Sequence, residues 1–112
     1  MKAAILGATG LVGQRFVQLL NDHSWFEVSS LTGSDRSAGM VYKDAVKWRM
    51  ETQLKQKIGE ITIQPTSPKE VDADVVFSAL PSDEALKVEE DFARAGYAVI
   101  SKWRVWAFRR RG

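Results

Sequence analysis

A doubly wound α/β domain with a mostly parallel sheet is the fold class that this sequence predicts, on three observations. A short apolar run, Ala3–Leu6, leads directly into glycines at positions 7, 10 and 13 and then into apolar residues at helical spacing. A second apolar run, Asp74–Leu80, is again followed by a helical pattern. Strand-like and helix-like stretches alternate three times, which implies parallel strands joined by right-handed crossovers.

Composition agrees with one ordinary globular domain. The chain has 112 residues, 45% hydrophobic and 27% charged, enough for a core of its own. No apolar run approaches the roughly 20 residues that span a bilayer, and the N-terminus lacks a signal-peptide pattern, so a cytoplasmic location is expected. No cysteine occurs, which excludes disulfides, thiolate metal sites and a cysteine nucleophile within this chain. The net charge of +2 is unevenly spread. Five of the 16 basic residues and none of the 14 acids follow Ser101, so the first 101 residues are net acidic.

The first element is a buried strand over Ala3–Leu6. In the turn after it, Gly7 is suited to a tight backbone conformation, and Gly10 removes a side chain that would hold a phosphate off the backbone. Gly13 allows the helix to pack close to the strand. Leu11, Val12, Phe16, Leu19 and Leu20 then mark a helix ending near Asn21. Strand, glycine turn and helix in this order form the context of a dinucleotide-binding loop, with the pyrophosphate on the helix N-terminus. The domain is therefore expected to be Rossmann-like.

His23, the one histidine, reads as a surface loop residue, and Trp25 and Phe26 read as core or edge packing. A second strand is expected over Glu27–Thr32. Its end, where such folds meet the adenosine ribose, carries Gly33 and Ser34, with Arg36 and Ser37 just beyond. An arginine flanked by hydroxyls suits a 2′-phosphate and favours NADP. Asp35 could instead reach a 2′-hydroxyl, which is the NAD alternative.

Residues 40–60 are charged throughout and read as a loop or irregular helix, with Lys55–Lys57 a solvated face. Ile61–Gln64 alternates between Gly59 and Pro65, so a short strand is expected there, followed by a turn at Pro65 and Pro68. After the Asp74–Leu80 strand, Pro81 stops the run. Ser82 is suited to cap a helix whose first turn holds Asp83 and Glu84. Ala85, Leu86, Val88, Phe92 and Ala93 form its apolar face, and Gly96 ends it. Ser78, Ala79, Leu80, Pro81 and Ser82 then share a rim with the glycine loop. A fifth strand is expected over Tyr97–Ser101.

Taken together, GATGLVGQRF at 7–16, SDRSAG at 34–39, VVFSALPS at 75–82 and GYAVIS at 96–101 resemble the aspartate-semialdehyde dehydrogenase family, in particular its archaeal-type branch. Tyr42, Asp44, Ala45 and Trp48 add to the likeness. The resemblance implies the NADP-binding part of an enzyme that reduces aspartyl phosphate to the semialdehyde, on the route to lysine, threonine and methionine. A cysteine forms the acyl-enzyme and a histidine serves as acid and base in that mechanism. It also implies a homo-oligomer for the full-length enzyme. Gly7, Thr9, Gly10, Leu11, Val12 and Gly13 would line the pyrophosphate. Ser34, Arg36 and Ser37 would hold the 2′-phosphate, and Ser78, Ala79, Leu80 and Ser82 would lie under the middle and nicotinamide end. Acyl-phosphate and acyl-thioester reductases of related type, including malonyl-CoA reductase, share this half.

After Ser101 the likeness fails. Residues 102–112, KWRVWAFRRRG, hold two of the four tryptophans and five basic side chains, the kind of abrupt change that a shifted reading frame produces. The expected organisation is a nucleotide-binding domain over residues 1–101, incomplete as a dehydrogenase, and a basic, aromatic tail over 102–112. Lacking cysteine, the chain is expected to be inactive as a dehydrogenase when alone. A non-catalytic nucleotide-binding module is the alternative. Metal and membrane partners are not expected, and nucleic-acid binding through the tail is disfavoured.

Overall fold

The computed structural model describes residues 1–101 and 104–106. Their elements are β1 (Lys2–Leu6), α1 (Leu11–Leu20), β2 (Glu27–Gly33), two single turns α2 (Tyr42–Ala45) and α3 (Gln56–Gly59), and β3 (Gln64–Pro65). A 3-10 turn at Pro68–Glu70 precedes β4 (Val75–Ser78), α4 (Ser82–Arg94), β5 (Ala98–Ser101) and β6 (Val105–Trp106). The strand order is β3-β2-β1-β4-β5-β6, with the first five parallel and β6 antiparallel to β5. The Rossmann-like fold expected from the sequence is the fold observed.

Alternation along β1 explains why both sheet faces are covered. Ala3 and Ile5 point into a cluster with Val17, Leu31, Tyr42 and Phe77, on the α1 side. Ala4 and Leu6 point into the opposite cluster with Val76, Phe92 and Val99, on the α4 side. Ala3, Ala4, Ile5 and Leu6 are fully buried, as a central parallel strand requires.

Both long helices differ in detail from the sequence reading. In α1 the inward stripe is Gly13, Gln14, Val17 and Leu20, whereas Leu11 and Leu19 are exposed. Contact at Gly13 fixes this rotation, because a Cβ there would lie 2.2 Å from the Gly7 carbonyl oxygen. In α4 the N-cap is Pro81, and Ser82 is the first helical residue and makes no side-chain cap bond. The Pro81 carbonyl accepts from Glu84 and Ala85 N–H groups at 3.1 and 2.9 Å, and its ring needs no N–H there. Leu86 faces solvent, while Glu89 occupies the core side. The helix ends as expected at Gly96 (φ 102°). Gly96 N–H reaches the Ala93 carbonyl, Tyr97 N–H reaches Phe92, and the Phe92 and Tyr97 rings lie 5.5 Å apart, which completes a Schellman motif.

Two further expectations are corrected. Residues 61–63 do not extend the sheet. Ile63 exchanges backbone bonds with Gly39 and Met40, and Thr62 bridges Val41, so only Gln64–Pro65 pairs with β2. Pro65 is accommodated because β3 is an edge strand. Trp25 is exposed, and Phe26 alone turns inward, meeting Phe77 edge-on at 5.4 Å. His23 is exposed in its loop. Residues Lys102, Trp103, Phe108, Arg109, Arg110 and Arg111 of the tail lie outside the described residues. Val105 and Trp106 pair with Ile100 and Val99, on the edge of β5.

Candidate nucleotide site

Strand order reverses between β1 and β4, and in open parallel sheets ligands bind at the carboxyl ends of the strands beside such a reversal. A cleft of about 620 Å³ opens there. It draws on the ends of four strands: Gly7, Thr9 and Gly10 after β1, Gly33 to Asp35 at β2, Pro65 and Thr66 at β3, and Ala79 to Pro81 after β4. Glu84 and Val88 of α4 close one wall.

The glycine loop is built for close approach. Gly7 has φ +72°, a conformation that glycine adopts without strain. Gly10 has ordinary angles (φ −76°, ψ 173°), and a Cβ there would meet nothing nearer than the Gly7 oxygen at 3.9 Å, so its missing side chain leaves open space. The first backbone bond of α1 runs from Gln14 N–H to the Gly10 carbonyl at 2.9 Å, which leaves the N–H groups of Leu11, Val12 and Gly13 ahead of it. No acid stands in the first turn of α1, whereas α4 carries Asp83 and Glu84 in its own. Of the two helix N-termini near the cleft, α1 is therefore the one that favours an anion.

One backbone group and two side chains, from three elements, hold this loop. The Ala8 N–H donates to the Thr32 carbonyl at 3.0 Å. The Tyr42 hydroxyl, fully buried, donates to the Ala8 carbonyl at 2.7 Å. Burial pushes the Tyr42 phenol well above its usual value of 10, so it remains a donor at neutral pH. The buried Gln14 amide donates from Nε2 to the Thr9 carbonyl at 2.9 Å and accepts at Oε1 from the Arg49 N–H at 2.8 Å.

At the β2 end, Ser34 and Asp35 face the cleft, and Arg36 is exposed outside its lining. The Ser37 hydroxyl turns back to the Ser34 carbonyl at 3.3 Å, and its oxygen fills the space of a Gly33 Cβ. Thr66 Oγ1 lies 2.9 Å from Thr32 Oγ1 and 3.2 Å from the Gly33 carbonyl, tying β3 to this corner.

Of the residues singled out in the sequence, Gly7, Thr9, Gly10, Ser34, Ala79 and Leu80 line the cleft together. Leu11, Val12, Gly13, Arg36, Ser37, Ser78 and Ser82 do not. Gly13 is packed against the turn, Ser82 is exposed, and Ser78 is buried with its hydroxyl donating to Glu89 Oε2 at 3.0 Å. Sequence reasoning passed over Thr66, Glu84 and Val88. Thr66 had a usable signal, its place just after a short strand, and Glu84 and Val88 had helical spacing from the strand end. Gln14 and Tyr42 belong to the family likeness, but nothing in the sequence marked them as loop supports, because hydrogen bonds over 5 and 34 residues leave no local pattern. Among the described residues no group of three His, Cys, Asp or Glu side chains could hold a metal ion, and no helix is long and apolar enough to cross a membrane.

Comparison with known proteins converges on one family. The family described as semialdehyde dehydrogenase, NAD binding domain, matches residues 2–108, which carries the likeness past Ser101. The aspartate-semialdehyde dehydrogenase of Archaeoglobus fulgidus is 48% identical over 97 residues, covering 87% of this chain and 28% of the relative. A crystal structure of the Candida albicans aspartate-semialdehyde dehydrogenase with NADP superposes with a TM-score of 0.85 at 46% identity, covering 89% of this chain and 28% of that one. The malonyl CoA reductase (NADP) of Metallosphaera sedula is 42% identical over 102 residues, 90% of this chain and 28% of the relative. The chain thus spans about 28% of the length of these relatives.

Proposed function

The chain belongs to the semialdehyde dehydrogenase family as its NAD-binding domain, and from that premise we propose that it binds NADP in the cleft at the carboxyl ends of β1, β2 and β4. The observation that carries this reading is the cleft itself, which joins the glycine loop to the end of β2 in one open volume. In it Thr9, Gly10 and the first turn of α1 hold the pyrophosphate, with Gly7 shaping the turn and Gly13 bringing the helix close. Ser34, Arg36 and Ser37 hold the 2′-phosphate, Arg36 by swinging its exposed side chain over the loop. Ala79 and Leu80 form the bed for the nicotinamide half, while Ser78 and Ser82 support the ends of that segment.

The Candida albicans relative is described with NADP, and the Metallosphaera sedula relative is named for it, which supports NADP over NAD. Bound NADPH supplies a hydride, and the reaction proposed is the reductive dephosphorylation of L-aspartyl 4-phosphate to L-aspartate 4-semialdehyde. This chain's share of that reaction is to bind and orient the nucleotide. It has no cysteine to form an acyl-enzyme, so we expect no dehydrogenase activity from it alone. The likeness to malonyl CoA reductase supports a second reading, in which the acyl substrate is a thioester and the nucleotide site is unchanged. Calorimetric titration of the 112-residue chain with NADPH and with NADH tests the proposal. Saturable binding that is tighter for NADPH is expected, and absence of binding to either nucleotide overturns it.

A further inference from the structure

Resting on the reading that the cleft holds a dinucleotide, we infer that Tyr42 and Gln14 are positioning residues that fix two consecutive peptide planes of the loop so that the Thr9 and Gly10 N–H groups face the pyrophosphate.

A trans peptide is planar, and its C=O and the following N–H point in opposite directions. Tyr42 binds the Ala8 carbonyl from within the core, and Gln14, itself only 2% exposed, binds the Thr9 carbonyl. Both carbonyls therefore point into the protein, and the N–H groups of Thr9 and Gly10 point outward, toward the cleft that these two residues line. Together with the leading N–H groups of α1 they form a continuous row of donors, the arrangement that an anion selects.

Neither side chain touches the cleft, and they arrive from separate elements. Tyr42 is held in place by its own N–H, which donates to the Ile61 carbonyl at 2.9 Å. Gln14 is anchored at its other end by the Arg49 N–H. Loss of either bond leaves an inward-pointing carbonyl without its donor, and the plane relaxes by turning toward water or another partner. Gly10 makes this easiest at the second plane, since glycine opposes no rotation there. The consequence is specific to ligands that carry a phosphate at the loop.

The test uses Tyr42→Phe and Gln14→Met, both close in volume to the native residues. Binding is measured with NADPH, which has a pyrophosphate, and with adenosine 2′-monophosphate, which reaches only the β2 end. Both variants are expected to weaken NADPH binding about tenfold or more and to change adenosine 2′-monophosphate binding by less than about twofold. Equal weakening of both ligands means a merely structural role and overturns the inference, as does unchanged NADPH affinity in variants that fold. If one variant fails to fold, the other decides. Failure of the native chain to bind NADPH removes the underlying reading instead, and the inference falls with it.

Discussion

The Ser78 hydroxyl donates to Glu89 Oε2 at 3.0 Å, joining the last residue of β4 to the core side of α4, and both side chains are essentially inaccessible to solvent. The serine on the cleft rim thus serves the strand–helix interface. Ser78→Ala withdraws a bond to a buried carboxylate, which costs about 1–3 kcal/mol. Urea unfolding should show that loss, while NADPH affinity should stay within about twofold of the native value, since the hydroxyl is bonded to Glu89 and Ser78 does not line the cleft. A large fall in affinity with stability intact would return Ser78 to the cofactor.

Two glycines of the same loop separate folding from binding. A Cβ at Gly13 meets the Gly7 oxygen at 2.2 Å and the Ala8 Cα at 2.7 Å, both backbone atoms that cannot step aside. Gly13→Ala should therefore destabilise the domain by at least about 1–3 kcal/mol, the usual cost of overpacking. At Gly10 the space is open and the backbone angles suit any residue, so Gly10→Ala should leave the unfolding midpoint nearly unchanged. Its methyl would stand where the phosphate approaches, and NADPH affinity should drop about tenfold. Equal stability losses in the two variants would contradict this assignment.

Fold and loop were legible because their signals are local. The run Ala3–Leu6 is apolar at every position because β1 is buried on both faces, and Gly7, Gly10 and Gly13 mark three different backbone demands within seven residues. The region from residue 40 to residue 63 was legible only as a loop or irregular helix and a short strand, since its shape is set by pairing between Gly39–Tyr42 and Ile61–Ile63 across a charged loop. Within α4 Leu86 misled, since the structure exposes it and buries Glu89 instead. Residue hydrophobicity places Leu86 inside α4 and Glu89 outside, and the Ser78 hydroxyl opposite Glu89 helps invert that order.

Arg36 is exposed beside the cleft and Asp35 lines it, so the two are rival candidates for the ribose contact in the proposed site. A guanidinium suits a 2′-phosphate and a carboxylate suits a 2′-hydroxyl. Arg36→Ala should weaken NADPH about tenfold and NADH by less than about twofold, because a charge-assisted bond is lost only with the phosphate. Asp35→Asn should have the opposite bias, improving NADPH by relieving repulsion. Parallel titrations of both variants with both nucleotides check this, and equal losses for NADPH and NADH in Arg36→Ala would remove that residue from the 2′-phosphate site.

Tyr42 also makes stability depend on alkaline pH. Burial raises its phenol above the unfolded value of 10, so above that pH the unfolded chain releases a proton that the folded chain keeps. The folded state then binds more protons, and stability falls as pH rises. The contribution is fully present below about pH 10 and is lost above it, at up to about 1.4 kcal/mol per pH unit for one proton. Tyr97 acts in the same direction, its phenol raised by burial and then by the charge of Asp72, so the native chain alone does not isolate Tyr42. The difference between the native chain and Tyr42→Phe does. Measured by urea unfolding, the native advantage should be flat from about pH 7 to pH 9 and shrink from about pH 10 upward as the unfolded phenol ionises. A difference that stays constant through about pH 11 would mean that Tyr42 gives up its proton as readily in the fold as outside it, and the buried bond to Ala8 would not survive that result.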